Sequence, residues 1–348
     1  MSDDRRPQGQ SARPSLGMIV RLFTASSGKP DTEPTAGVAS GPAWMQANQA
    51  TVSKETFEAR LDLAASIGAR GIEVTQFQRI SGAEFLLSSA AARDEFMEAF
   101  ASRDLTISAM NCAASPLHPV HGGAHRHLIR QTIRLAEQLK VDKIASMSGA
   151  GGDGPRASIV NWTFLPYGGD AAALREDHWR AAIGLWKELA RFAADHGIRR
   201  IAFELHPGNL VYNVPTLLRM REAVGPIIGA NVDPSHLFWQ LMDPIAVVRA
   251  LGPAVYHVQL KDTEFVPGQL AVAGVLDSRS LDDPQERAWI HRTVGRAHAP
   301  EFWGRFLAAL AEVRYGDFVS IEAEDSFQSY EEGVREAADV LRPLLEAL

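Results

Sequence analysis

The chain has 348 residues, 46% of them hydrophobic and 22% charged, proportions that supply a large globular core and argue against disorder. A formal charge of −7 leaves no positive field for a nucleic-acid backbone or an anionic lipid surface, so neither is an expected partner. The single cysteine, Cys112, excludes an intramolecular disulfide and any zinc site built from several thiolates, which fits a reducing, cytoplasmic setting.

Residues 1–15 (MSDDRRPQGQSARPS) are polar and read as a flexible N-terminal tail; the apolar stretch after it, Leu16 to Phe23, is too short for a secretory core or a membrane span. From residue 16 to 348 short apolar runs alternate with longer segments of helical period, the pattern of repeated βα units in one domain. Strands are predicted over 17–24, 71–77, 105–112, 143–148, 198–205, 227–233, 255–261 and 318–323. Helices are predicted over 54–67, 122–139, 176–196, 214–223, 301–314 and 331–345. Eight such units predict an α/β fold, a (β/α)8 TIM barrel with extended loops at its C-terminal face.

A doubly wound sheet is the rival, but LFTASSGKP after the first strand lacks G-x-G-x-x-G, and the glycine cluster SGAGGDG at 148–154 lacks the Lys-Ser/Thr ending of a phosphate loop. Three long connections, 25–53, 149–175 and 262–300, each follow a strand, which in a barrel places them at the active-site rim.

The polar residues carry the functional signal. Strands five to eight end in FELHPG, NVDPSH, YHVQLKD and SIEAED, each with acidic, His or Gln side chains at the carboxyl end of an apolar strand, where barrel enzymes keep their chemistry. Taken singly, each has a bland role: Glu204 as an ion-pair partner, Asp233 before Pro234 as a turn starter, His236 and His257 as hydrogen-bonded histidines. Taken together, carboxylates at one pole repel unless a cation offsets them, and a single divalent metal ion does so. Glu204, Asp233 and Glu322 offer hard oxygens, with Gln259 or His257 from strand seven, a set compatible with Mn²⁺, Mg²⁺, Co²⁺ or Zn²⁺, of which Mn²⁺ is the favoured expectation. Glu73 and His118 face the same pole in the predicted register; Asn111 and Ser148 are weaker candidates, and Trp162, Phe238 and Trp239 read as core before they read as a sugar-stacking wall.

The ordered set FELHPG, NVDPSHLFWQ, YHVQLKDT and SIEAEDS resembles the sugar phosphate isomerase/epimerase group of the xylose-isomerase-like TIM barrels, whose relatives include ketose 3-epimerases, inosose dehydratases and endonuclease IV; the similarity covers about residues 105–345. The resemblance implies metal ligation by Glu204, Asp233, a strand-seven residue and Glu322, and substrate contact by His236. His206, His257, Lys261, His118 and Glu73 are further candidate substrate-binding residues from their places in the sequence. Strand seven normally reads H-x-H-x-K-D in such relatives, and this chain has Gln259 where the second histidine is expected.

The implied chemistry is isomerisation or epimerisation of a sugar or sugar derivative, with Glu204 and Glu322 exchanging a proton beside a carbonyl polarised by the metal, and His236 orienting a hydroxyl. The alternative is β-elimination from a keto sugar or 3-keto glycoside by a lyase or dehydratase on the same site; a non-catalytic sugar-binding protein is the third reading. Lys261 either holds a developing anion or pairs with Asp262 or a nearby acid. A homo-oligomer or a partner subunit is compatible with the sequence.

Overall fold

The computed structural model describes residues 14–21, 23–24, 50–51, 54–75, 86–166 and 168–348. Most of the predicted tail and most of the predicted loop 25–53 lie outside the described residues.

Eight parallel strands close into a barrel in the order β1-β12-β9-β8-β7-β6-β5-β4. They are β1 (Ser15–Arg21), β4 (Gly71–Thr75), β5 (Thr106–Cys112), β6 (Lys143–Ser146), β7 (Arg200–Glu204), β8 (Ile228–Val232), β9 (Val255–Leu260) and β12 (Phe318–Ile321). These match the eight predicted strands within a few residues. Two short ribbons stand apart from the barrel: β2 (Phe23–Thr24) with β3 (Ala50–Thr51), and β10 (Asp262–Phe265) with β11 (Trp289–Arg292). Every residue of β6 and β8 is buried, as expected of parallel strands covered on both faces.

The chain divides into two compact units, Met18–Gly229 and Met1–Gly17 with Ala230–Leu348. In the first, β4, β5, β6 and β7 pair in sequence, with Met110 level with Ile144 and Ala145 level with Ala202. Helix Gly122–Gln138 turns Leu128, Ile129, Thr132, Ile133 and Ala136 inward at helical spacing. Helix Asp170–Asp195 buries Trp186 edge-on against Phe203 of β7, 4.5 Å between ring centroids, which assigns Phe203 to the helix side of its strand and Glu204 to the opposite side. The glycine cluster at 148–154 has a packing role. A Cβ on Gly152 would collide with that of Ala157, and one on Gly151 would press on the His178 ring.

In the second unit, β8, β9 and β12 are neighbours, with Asn231 level with His257, and Ser320 with Gln259. Helix starts here follow local rules. Asp233 caps Pro234–Phe238, Asp243 caps Pro244–Leu251, each with proline at the first position, and Ser329 with Glu332 forms a capping box at Tyr330–Glu346.

The predicted connection 262–300 is an ordered insertion. The β10–β11 ribbon pairs Asp262 with Arg292 and Phe265 with Trp289, and a helix, Pro267–Ala273, lies between its strands. Asp262 fixes the far end. It is fully buried, and its carboxylate accepts N–H bonds from Thr263 (2.8 Å), Gly295 (3.3 Å), Ala297 (3.1 Å) and His298 (2.9 Å), and contacts His298 Nδ1 at 2.6 Å. Among the described residues no helix is long and apolar enough to cross a membrane.

Replacing Asp262 with Ala leaves those backbone donors without their acceptor inside the protein. The expected loss is about 3–5 kcal/mol of unfolding free energy, read as a lower urea midpoint at unchanged slope.

Candidate active site

In the unit containing Ala230–Leu348, the polar residues at three strand ends converge on one ammonium group. Lys261, its side chain only 3% exposed, places Nζ 2.8 Å from Glu322 Oε2, 2.9 Å from Glu324 Oε2 and 3.2 Å from Asp233 Oδ2. The strands dictate this meeting. Leu260 pairs with Ile321, so Lys261 and Glu322 follow side by side, and Val232 pairs with Val258, so Asp233 and Gln259 come level one residue later. Of the two partners considered for Lys261, nearby acids are the ones it meets. Asp262 is not, because adjacent residues on an extended chain point to opposite faces. Asp262 pairs with His298 instead.

Asp233 Oδ1 accepts the Ser235 N–H at 2.9 Å, and Oδ2 accepts the Ser235 hydroxyl at 2.9 Å. His236 lies between two partners: Nε2 is 3.2 Å from Asp233 Oδ2, and Nδ1 accepts the Trp239 indole N–H at 3.4 Å. That pattern places the ring proton on Nε2. The insertion supplies the next shell. Trp289 of β11 stacks on Trp239 at 4.8 Å with the planes 1° apart, and His291 meets the His236 ring edge-on at 5.5 Å. Phe238 stacks on His298 at 3.8 Å. His257 and Gln259 sit below on β9, 0% and 2% exposed.

In the unit spanning Met18–Gly229, Glu204 ends β7 and His206 follows, its Nδ1 2.5 Å from the Pro207 carbonyl. Glu73 on β4 is fully buried and accepts the Asn111 amide N–H at 2.6 Å. Ser148 is fully buried and accepts the Val211 N–H at 2.9 Å, so it ties two loops together. Trp162 stacks on Phe164 at 4.4 Å. Burial pushes the Cys112 thiol up to about 11, which makes it an inert core group.

His118 forms a histidine trio with His121 and His125, ring centroids 4.7 and 6.4 Å away. Its Nδ1 accepts the N–H groups of Val120 (3.2 Å) and His121 (3.1 Å). Burial lowers the His118 pKa, and repulsion from His121 and His125 adds to it. His125 is also lowered by burial, with a smaller contribution from His121, against an opposing hydrogen bond to Ser115.

Several contributors were not singled out from the sequence. Glu324 sits in the SIEAED run and its strand-face parity with Glu322 was a usable signal. Trp289 and His291 carried none, since they lie within the long connection 262–300, which reads only as part of the rim.

The lowered histidines have a stability consequence. Above about pH 6.5 both folded and unfolded rings are neutral and the contribution is complete; as pH falls toward the depressed folded values, the unfolded chain binds protons first and stability drops. Urea midpoints measured between about pH 7.5 and 5 should therefore fall, and His118→Gln combined with His125→Gln should flatten that decline.

The sequence matches the family model described as "Xylose isomerase-like TIM barrel" over residues 61–344. It is 36% identical over 296 residues to the uncharacterized protein YfiH of Bacillus subtilis (strain 168), covering 82% of this chain and 94% of that protein. Among solved structures it is similar to an L-ribulose 3-epimerase (TM-score 0.62, 13% identity, 96% of this chain and 95% of the other). It is also similar to the IOLI protein with a bound zinc atom (TM-score 0.59, 17% identity, 83% and 93%). At those identities the structural matches report the fold. Barrel order and family model agree, and the chain belongs to the xylose isomerase-like TIM barrel family.

Proposed function

We propose that this protein is a divalent-metal-dependent sugar isomerase or epimerase that moves a proton next to a carbonyl. The observation that carries the reading is the charge balance at the strand ends. Asp233, Glu322 and Glu324 gather around one ammonium, leaving two formal negative charges beyond what Lys261 offsets. Buried carboxylates in that excess favour a divalent cation, and the donors proposed for it are the hard oxygens of Glu204, Asp233 and Glu322, with the Gln259 amide level with Asp233 on the next strand. Mn²⁺ is the favoured ion, and Mg²⁺, Co²⁺ or Zn²⁺ are compatible with the same set. When bound, the ion supplies Lewis-acid polarisation of a substrate carbonyl.

The chain's own groups do the rest. Glu204 and Glu322 take and return the proton on the carbon beside the carbonyl. His236, held between Asp233 and the Trp239 indole, orients a substrate hydroxyl. His206, His257, Lys261, His118 and Glu73 are the proposed substrate-binding groups, and a small sugar or sugar derivative is the proposed ligand. A second reading, β-elimination from a keto sugar or 3-keto glycoside, uses the same base; the ordered insertion 262–300 favours it as an added wall for a larger leaving group.

The test incubates keto sugars with the Mn²⁺-loaded protein in D₂O. Epimerisation predicts deuterium at the carbon beside the carbonyl and an epimeric product; elimination predicts a released leaving group. Either activity should vanish on chelation and return with Mn²⁺, and Glu204→Gln or Glu322→Gln should lower kcat by about 10²-fold or more. Sugar binding without turnover in the loaded protein would instead support the non-catalytic reading.

A further inference from the structure

One oxygen of Asp233, Oδ2, has no capacity left for a new partner. Oδ1 accepts from Ser235 N, and Oδ2 has three donors around it: the Ser235 hydroxyl at 2.9 Å, His236 Nε2 at 3.2 Å and Lys261 Nζ at 3.2 Å. Glu322 Oε2 is bound to the same ammonium at 2.8 Å. A carboxylate oxygen offers about two lone pairs, so Oδ2, the oxygen that faces Glu322 across the ammonium, has none to spare, and an ion that bridges it to Glu322 must displace one of its donors. Ser235 is held by the helix cap, and His236 by Trp239. Lys261 alone of the three combines a long flexible stem with another acceptor already in contact, the half-buried Glu324 at 2.9 Å.

We propose that Lys261 is a resident counter-ion that competes with the divalent ion for Asp233 and Glu322, and that metal loading shifts its ammonium onto Glu324. This rests on the metal-site reading above and adds a role for two residues outside the proposed ligand set. Lys261 holds the carboxylates together before loading, and Glu324 receives the ammonium afterwards. Gln259 belongs to the same design, because a neutral amide in place of an imidazole makes an ion that the lysine can rival.

The experiment measures the Mn²⁺ dissociation constant by chelator competition, and the melting temperature with and without metal, for the parent, Lys261→Met, Glu324→Gln and Arg292→Gln. Arg292 is the charge control: it pairs with Glu264 and Asp325 and touches neither Asp233 nor Glu322 in the ion pairs it makes. Lys261→Met should bind Mn²⁺ on the order of tenfold or more tightly, while its metal-free form melts below the parent's. Glu324→Gln should bind several-fold more weakly, and Arg292→Gln should change affinity by less than about threefold.

Unchanged or weaker binding by Lys261→Met, or an equal gain in Arg292→Gln, overturns the competition while leaving the metal site standing. Should Lys261→Met fail to fold, an unchanged affinity in Glu324→Gln overturns it. If neither parent nor variants bind at millimolar Mn²⁺, the metal-site reading falls and the competition with it.

Discussion

The ammonium of Lys261 is the contact on which the candidate site depends. Three carboxylates from two strand ends meet at a group 3% exposed, where each charge has given up most of its hydration. Such a cluster is weak evidence for stability, since desolvation offsets much of the Coulomb gain. It does specify geometry. Removing Lys261 leaves three carboxylates without their counter-charge, so β8, β9 and β12 must keep the register that brings Asp233, Lys261 and Glu322 together. That register is set by the apolar pairs one residue earlier, Val232 with Val258 and Leu260 with Ile321, whose burial makes a one-residue slip costly.

Lys261 and Asp262 show how one dipeptide serves two tasks. Strand alternation sends the lysine to the carboxylates and the aspartate to the other face, where it gathers the N–H groups of residues 295–298. Asp325 does a related job one strand away, accepting from Thr293 N and Arg292 Nε. Both ends of the β10–β11 insertion are thus tied to residues next to the acidic cluster. The tie carries Trp289 and His291 to Trp239 and His236, so a histidine adjoining Asp233 has its ring orientation set by a segment inserted after β9.

Below that cluster the same three strands remain polar. Asn231, His257, Gln259 and Ser320 are 0–2% exposed, at positions that barrels usually fill with branched apolar side chains. The register keeps the neutral Gln259 amide level with Asp233. The histidine trio around His118 stands as its own local cluster, built on backbone N–H groups of the turn before helix Gly122–Gln138.

Much of this was legible in the one-dimensional pattern, because its causes are local. Period-two and period-3.6 patterning located the eight barrel strands within a few residues and six of the helices, and acidic, His and Gln residues at strand ends marked the pole of the candidate site. The family follows from the same ordered strand endings. Helices of eight residues or fewer, such as Pro244–Leu251, went unread because they are too short to show a period, and the 12-residue Ala90–Ala101 went unread because it buries little of one face, Ala92 and Phe100. The tertiary structure alone decided which charges meet. Lys261 chose among Asp233, Asp262, Glu322 and Glu324 through strand parity and register, Asp262 took His298 from 36 residues away, and residues 262–300 became a ribbon because both their ends are anchored by buried carboxylates. Those pairings join residues far apart in the chain, and no local period encodes a partner that only folding brings within hydrogen-bond reach.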